Sequence, residues 1–124
     1  MPTSQAISTP DAPGAIGPYS QAIVAGPGSL VFCSGQIPLD PATGKLVEGS
    51  IGDRARRCLD NLAAIAQAAG TSLDKAVKVT VFLTDIGDFK QVNEVYGSVF
   101  KEPYPARSAI QVAALPMGAD VEIE

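Results

Sequence analysis

The chain predicts an α+β fold, a mixed sheet of about six strands with two helices on one face, and three observations carry this reading. Two segments repeat apolar residues at helical spacing, several short segments are β-branched or alternate apolar with polar residues, and Gly and Pro punctuate the boundaries. The order is strands, helix, strand, helix, strands.

Residues 1–18 are rich in Pro, Ala, Ser and Gly, with a short strand expected near Gln5–Ser8 and a turn at Gly17-Pro18. Gln21–Ala25 and Leu30–Ser34 flank Gly26-Pro27-Gly28-Ser29 and read as two strands joined by a Gly-containing turn. Asp40-Pro41-Ala42-Thr43-Gly44 is a turn by residue chemistry, Pro fixing φ and Gly accepting positive φ. Ser50-Ile51-Gly52-Asp53 has the look of a capping box and Gly70 that of a C′ glycine, which brackets a helix. Ala55, Leu59, Leu62, Ile65, Ala66 and Ala69 form its packing stripe.

Val77–Thr84 is the clearest strand, with Val77, Val79, Val81 and Leu83 on one side and Lys78, Thr80, Phe82 and Thr84 on the other. A second helix is expected over about Asp88–Phe100, using Phe89, Val92, Tyr96, Val99 and Phe100 as its stripe. Two strands, about Ala106–Ala114 and Ala119–Glu124, follow. Two helices cover one face of such a sheet. Phe82, Phe32 or Val31 then lack a partner on the other, and a second subunit is the expected cover.

At 124 residues the chain predicts a single domain, residues 1–124. With 46% hydrophobic and 18% charged residues it contains nothing near the roughly 20-residue apolar run of a membrane span, and no targeting pattern is read at its start, so cytoplasm is the expectation. A net charge of −4 works against nonspecific nucleic-acid binding. Arg54, Arg56 and Arg57 form the one basic cluster, expected as a solvated face beside Asp53 and Asp60. Cys33 and Cys58 match no metal or redox spacing and predict reduced thiols. Histidine is absent, which excludes Ser-His-Asp and Cys-His nucleophilic systems and histidine-ligated metals. No metal site is expected.

The chemistry then falls to carboxylates, hydroxyls, amines, thiols, backbone and water. Arg107 opens the strand after Tyr104-Pro105-Ala106, and Glu122 lies on the next. Alternation sets Arg107, Ala109, Gln111 and Ala113 on the less apolar side of their strand, and sets Glu122 and Glu124 opposite Val121 and Ile123. If the two strands form a hairpin about Leu115–Gly118, Glu122 faces Gln111 with Arg107 about 13 Å further along. The pair reads equally as a clamp on a small anion with a positioned water and as an interchain ion pair. Tyr19 anchors the first strand or lines a pocket; Ser34-Gly35-Gln36 ends a strand where Gly35 admits close backbone approach; Asn93 interrupts the second helical stripe and needs a polar partner.

Ala15-Ile16-Gly17-Pro18-Tyr19-Ser20-Gln21-Ala22, Ser34-Gly35-Gln36-Ile37-Pro38, Asn61-Leu62, Val79-Thr80-Val81-Phe82-Leu83 and Pro105-Ala106-Arg107-Ser108 through Val121-Glu122-Ile123 resemble the RidA/YjgF family of reactive-intermediate deaminases. The resemblance runs in order through nearly the whole chain, and its arginine-to-glutamate block is the specific part. It implies a chorismate-mutase-like fold and a homotrimer with sheets turned inward, leaving clefts between subunits for a small 2-imino or 2-oxo acid. It also implies hydrolysis of 2-iminopropanoate and 2-iminobutanoate, products of pyridoxal-phosphate-dependent dehydratases, to 2-oxo acids and ammonia without a cofactor. By the same resemblance Arg107 holds the substrate carboxylate and Glu122 positions the attacking water. Tyr19, Ser34, Gly35 and Asn93 line the cleft, and the Ala109 backbone accepts a hydrogen bond from the substrate nitrogen. Many members carry cysteine where this chain has Ala109. Two other classes remain open: a carboxylate-binding regulatory trimer without turnover, and an endoribonuclease or translation inhibitor, which acidic charge and absent histidine oppose.

Overall fold

The computed structural model describes residues 4–16, 19–25 and 28–124. Its elements in chain order are β1 (Ser4–Ile7), β2 (Ala22–Ala25), β3 (Leu30–Cys33), α1 (Ile51–Ala68), β4 (Lys78–Leu83), α2 (Phe89–Val99), β5 (Ala106–Gln111) and β6 (Val121–Ile123). The expected Gly17-Pro18 turn and the Gly26-Pro27 half of the β2–β3 connection lie outside the described residues.

The strands form two three-stranded sheets, β1-β2-β3 and β5-β4-β6. Gln36 and Ile123 join them by exchanging backbone hydrogen bonds of 2.8 and 3.0 Å, which sets β3 beside β6. The α+β fold is therefore as expected, but the order of its last strands is not. β5 and β6 do not form a hairpin: β4 lies between them, parallel to β5 and antiparallel to β6. Pro116–Gly118 makes a 3₁₀ turn in which Met117 and Gly118 take positive φ (58° and 71°), and the chain emerges on the far side of β4. β4 holds the centre because Val79, Val81 and Leu83 are all buried.

Helix α1 is bounded as its sequence predicts. Ser50 Oγ accepts from the Asp53 N–H at 3.1 Å, and Asp53 Oδ2 accepts from the Ser50 N–H at 3.0 Å. At its other end Gly70 (φ +84°) donates to the Gln67 carbonyl and Thr71 to the Ala66 carbonyl, satisfying two orphan acceptors. The buried face carries Ala55, Leu59, Leu62, Ile65 and Ala66 of the expected stripe, with Cys58 and Asn61 added. Asn61 ties α1 to the segment that precedes it, accepting from Arg57 within the helix and donating to the Leu39 carbonyl. Burial pushes the Cys58 thiol far up, with Glu122 and Asp120 adding to it, and pushes Cys33 up as well. Both cysteines are free.

The basic cluster departs from expectation. Arg54 pairs with Asp120 at 2.8 Å and Arg56 donates to Ser98, which tie α1 to its neighbours, while Arg57 donates to Asn61 one turn on within α1. Asp53 is already committed to the cap.

Both helices lie on the Val79, Val81 and Leu83 side of the sheet, where one core also takes in Leu59, Leu62, Val92, Tyr96, Phe100, Val121 and Ile123. The opposite face exposes Leu30, Phe32 and Ile110, with Phe82 half-buried among them. Val31 was also expected to lack a partner; it instead packs with Ile65 and Ala22 in a second cluster. No helix among the described residues is long and apolar enough to cross a membrane.

Candidate active site

Arg107 stands opposite Val79 in the β4–β5 register, so its side chain projects on the helix side. Alternation grouped it correctly with Ala109 and Gln111, but that side is the one bearing α2. There the guanidinium carbon lies 5.0 Å from the Phe89 ring centroid and 4.6 Å from that of Tyr96, and Nη1 donates to Asn93 Oδ1 at 2.6 Å. Phe89, Asn93 and Tyr96 are spaced i, i+4, i+7, hence one stripe of α2 supplies all three contacts. Asn93 thereby finds the polar partner its position demanded.

Ala109 adjoins this group. The Ala106 N–H bonds the Val77 carbonyl and the Val112 N–H that of Leu83, so even-numbered residues carry the ladder to β4. Arg107, Ala109 and Gln111 consequently turn their N–H and C=O toward the outer edge of β5. Among the described residues, these backbone donors and acceptors have no partner strand and lie beside a cation.

Glu122 stands opposite Phe82 and projects on the other face. A Cβ added at Gly35 would lie 2.8 Å from Glu122 Oε2 and 3.0 Å from its Cδ, so the glycine makes room for the carboxylate. The local backbone explains how. The Ser34 N–H donates to Gln21 on the β2 side, whereas the Gln36 N–H donates to Ile123 on the β6 side. Residues two apart in a regular strand point the same way, so the strand turns over at Gly35. Ser34 Oγ donates to the Ser20 carbonyl, which holds Tyr19 and Ser20 near this turn. Tyr19 is half exposed, with its hydroxyl accepting from the Ile16 N–H at 3.5 Å. Burial raises the Glu122 carboxyl above its ordinary value, and the Glu124 charge adds to the shift.

The expected residues therefore fall into two half-sites. Arg107, Asn93 and Ala109 lie on the helix side, while Glu122, Gly35, Ser34 and Tyr19 lie around the β3–β6 junction. Arg107 and Glu122 are about 10 Å apart across two strand spacings and about 10 Å along β4, on opposite faces. One chain does not bring them together. Sequence reasoning gave Phe89 and Tyr96 packing roles alone; the signal for more was the polar Asn93 between them on one stripe. Among the described residues, no cluster of three acidic or thiol side chains is placed to hold a metal.

An α+β protein that presents a held guanidinium beside an open strand edge is equipped to receive a small anion. Comparison with known proteins makes this particular. A family model described as Endoribonuclease L-PSP matches residues 9–124, and the chain belongs to that family, the RidA/YjgF family. It is 59% identical over 118 residues to the RutC family protein y4sK of Sinorhizobium fredii, covering 95% of this chain and 92% of that protein. It is 51% identical over 118 residues to a human protein named 2-iminobutanoate/2-iminopropanoate deaminase, covering 95% and 85%. A solved structure of E. coli TdcF with bound serine superposes with a TM-score of 0.87 at 46% identity, covering 96% of this chain and 94% of that one.

Proposed function

We propose that this chain is an imine deaminase, hydrolysing 2-iminopropanoate and 2-iminobutanoate to 2-oxo acids and ammonia. The observation that carries the reading is its 51% identity, over nearly its whole length, to the human protein of that name. The held Arg107 and the raised Glu122 carboxyl support it.

In this reading Arg107 binds the substrate carboxylate through two parallel N–H···O bonds, fixing the imine carbon. Glu122 orients a water and takes its proton as oxygen adds to that carbon. That proton passes to nitrogen to give the amino alcohol, whose hydroxyl proton then follows the same route, so that C=O forms as ammonia departs. The iminium is already electrophilic, so orientation and one carboxylate suffice without a cofactor. Because the half-sites lie on opposite faces, the working site joins Arg107 of one subunit with Glu122 of another. A homotrimer with sheets turned inward does this and also covers Leu30, Phe32 and Ile110. We assign the protein to the cytoplasm, where dehydratases release such imines.

The test is a threonine dehydratase reaction in the presence of semicarbazide as a competing trap. The protein is expected to accelerate 2-oxobutanoate formation; no acceleration refutes the reading. A carboxylate-binding trimer without turnover is the second reading, favoured by serine in the TdcF relative. It predicts 2-oxobutanoate binding with no rate effect.

Two variants probe Glu122. Gly35→Ala displaces a flexible carboxylate rather than backbone, so kcat is expected to fall about 10- to 100-fold with little change in the unfolding midpoint. Unchanged kcat would contradict the assigned role. Glu122 must be ionised to accept a proton, and a raised pKa keeps it protonated to higher pH, moving the acid limb of kcat/KM to higher pH than an unshifted glutamate would give. Glu124→Gln removes the like charge, lowers the Glu122 pKa and moves that limb to lower pH. A limb that stays in place on titration counts against it.

A further inference from the structure

We infer that Phe89 and Tyr96 are positioning residues: their rings hold the plane of the Arg107 guanidinium while Asn93 fixes one end, leaving its in-plane N–H groups to meet a planar carboxylate. This rests on the reading of Arg107 as the carboxylate clamp and adds what makes the clamp work.

Arg107 is exposed on an edge strand, and a free arginine there would sample many rotamers. A bidentate bond to a carboxylate needs one of them, with the guanidinium plane set in advance. The three contacts from α2 set it. Both rings lie within 5.0 Å of the guanidinium carbon, inside cation–π range, and strip water from the face of the cation without using any of its hydrogens. Asn93 takes one N–H of five. The remaining donors point in the plane.

The neutrality of all three supports is the second part of the inference. Among the described residues the one ion pair is Arg54–Asp120, so Arg107 keeps its charge unspent. A carboxylate at 93 would hold the guanidinium more tightly but occupy the fork the substrate needs; the asparagine carbonyl holds it and leaves the charge. Tyr96 serves the same end. Its ring lies 4.5 Å from that of Phe100 at a tilt of 39°, its hydroxyl is buried with no hydrogen-bond partner among the described residues, and burial pushes its phenol up against the opposing pull of the Arg107 charge, so the ring stays neutral beside the cation.

The experiment uses the full chain and two readouts: calorimetric binding of 2-oxobutanoate, and the kcat and KM of dehydratase-coupled deamination. Phe89→Leu and Tyr96→Leu keep apolar bulk and remove the π face; each is expected to weaken binding and raise KM about five- to tenfold while kcat changes less than twofold. Phe89→Tyr and Tyr96→Phe keep a ring and are expected to restore binding to the parent value. Asn93→Asp is expected to bind 2-oxobutanoate more weakly than Asn93→Ala. NMR of the Arg107 Nε–H, followed in the unliganded protein, is expected to show faster solvent exchange in the leucine variants even where activity cannot be measured. Leucine variants that bind like the parent with unchanged Nε–H exchange overturn the inference, as does Asn93→Asp binding better than Asn93→Ala. Parent protein that binds 2-oxobutanoate through the rings but shows no turnover refutes the deaminase reading and leaves this one standing.

Discussion

Replacing Arg107 with alanine is expected to lower kcat/KM for 2-iminobutanoate about 100- to 10,000-fold, corresponding to loss of two charge-assisted hydrogen bonds at about 1.5–3 kcal/mol each. The loss should fall on activity and not on the fold. Arg107 is exposed, its one side-chain hydrogen bond among the described residues goes to the exposed Asn93, and it touches the core only through the outer faces of the Phe89 and Tyr96 rings. Arg107→Lys keeps the charge but not the planar fork, and is expected to recover only a minor part of the rate. The semicarbazide competition assay measures both, with circular dichroism to verify that the variants are folded. A fully active Arg107→Ala protein would remove the centre of the proposed mechanism.

Leu59→Ala is expected to destabilise the protein by about 3 kcal/mol, within the usual range of about 2–5 kcal/mol for such a cavity, lowering the thermal midpoint by about 10 °C. Leu59 is 1% exposed and sits in the cluster that joins α1 to β4, β6 and α2. That cluster holds both helices to the sheet, so a cavity there loosens the contacts of all four elements at once. Leu59→Met, which roughly conserves volume, should cost less than about 1.5 kcal/mol. Urea unfolding of the two variants side by side decides the matter; equal midpoints would mean that the site collapses freely.

The elements were legible where local chemistry decides them. The Ser50–Asp53 capping box and Gly70 bound α1 within a residue or two, and the alternation of β4 gave its buried face directly. Topology was harder. A turn rich in Pro and Gly between two short strands reads as a hairpin, and whether such strands pair or straddle a third depends on β4, some 30 residues earlier in the chain. Alternation left open which face of the sheet Arg107 joins, for a related reason. Ser108 and Ile110 look no less suited to a core than Ala109 and Gln111, and burial on β5 is slight on both sides because α2 covers only part of it. Asn93 announced its need for a partner, whereas Phe89 and Tyr96 did not reveal theirs, because an aromatic residue on an apolar stripe already has a sufficient reason to be there.

The position of β6 also bears on how the chain reaches this fold. Val121 and Ile123 are fully buried, yet β6 is made after every element it packs on: β4 lies about 40 residues back and α1 about 60. Closing such long loops is entropically expensive before any contact repays it, so a fold dominated by them forms in milliseconds to seconds rather than microseconds. Until β6 docks, Val81 and Leu83 have no partner strand on that side, and the partly assembled chain shows an open strand edge lined with aliphatic residues. The vulnerable period for aggregation is therefore before β6 seats, and substitutions that slow its docking should reduce soluble yield more than they reduce the stability of the finished protein.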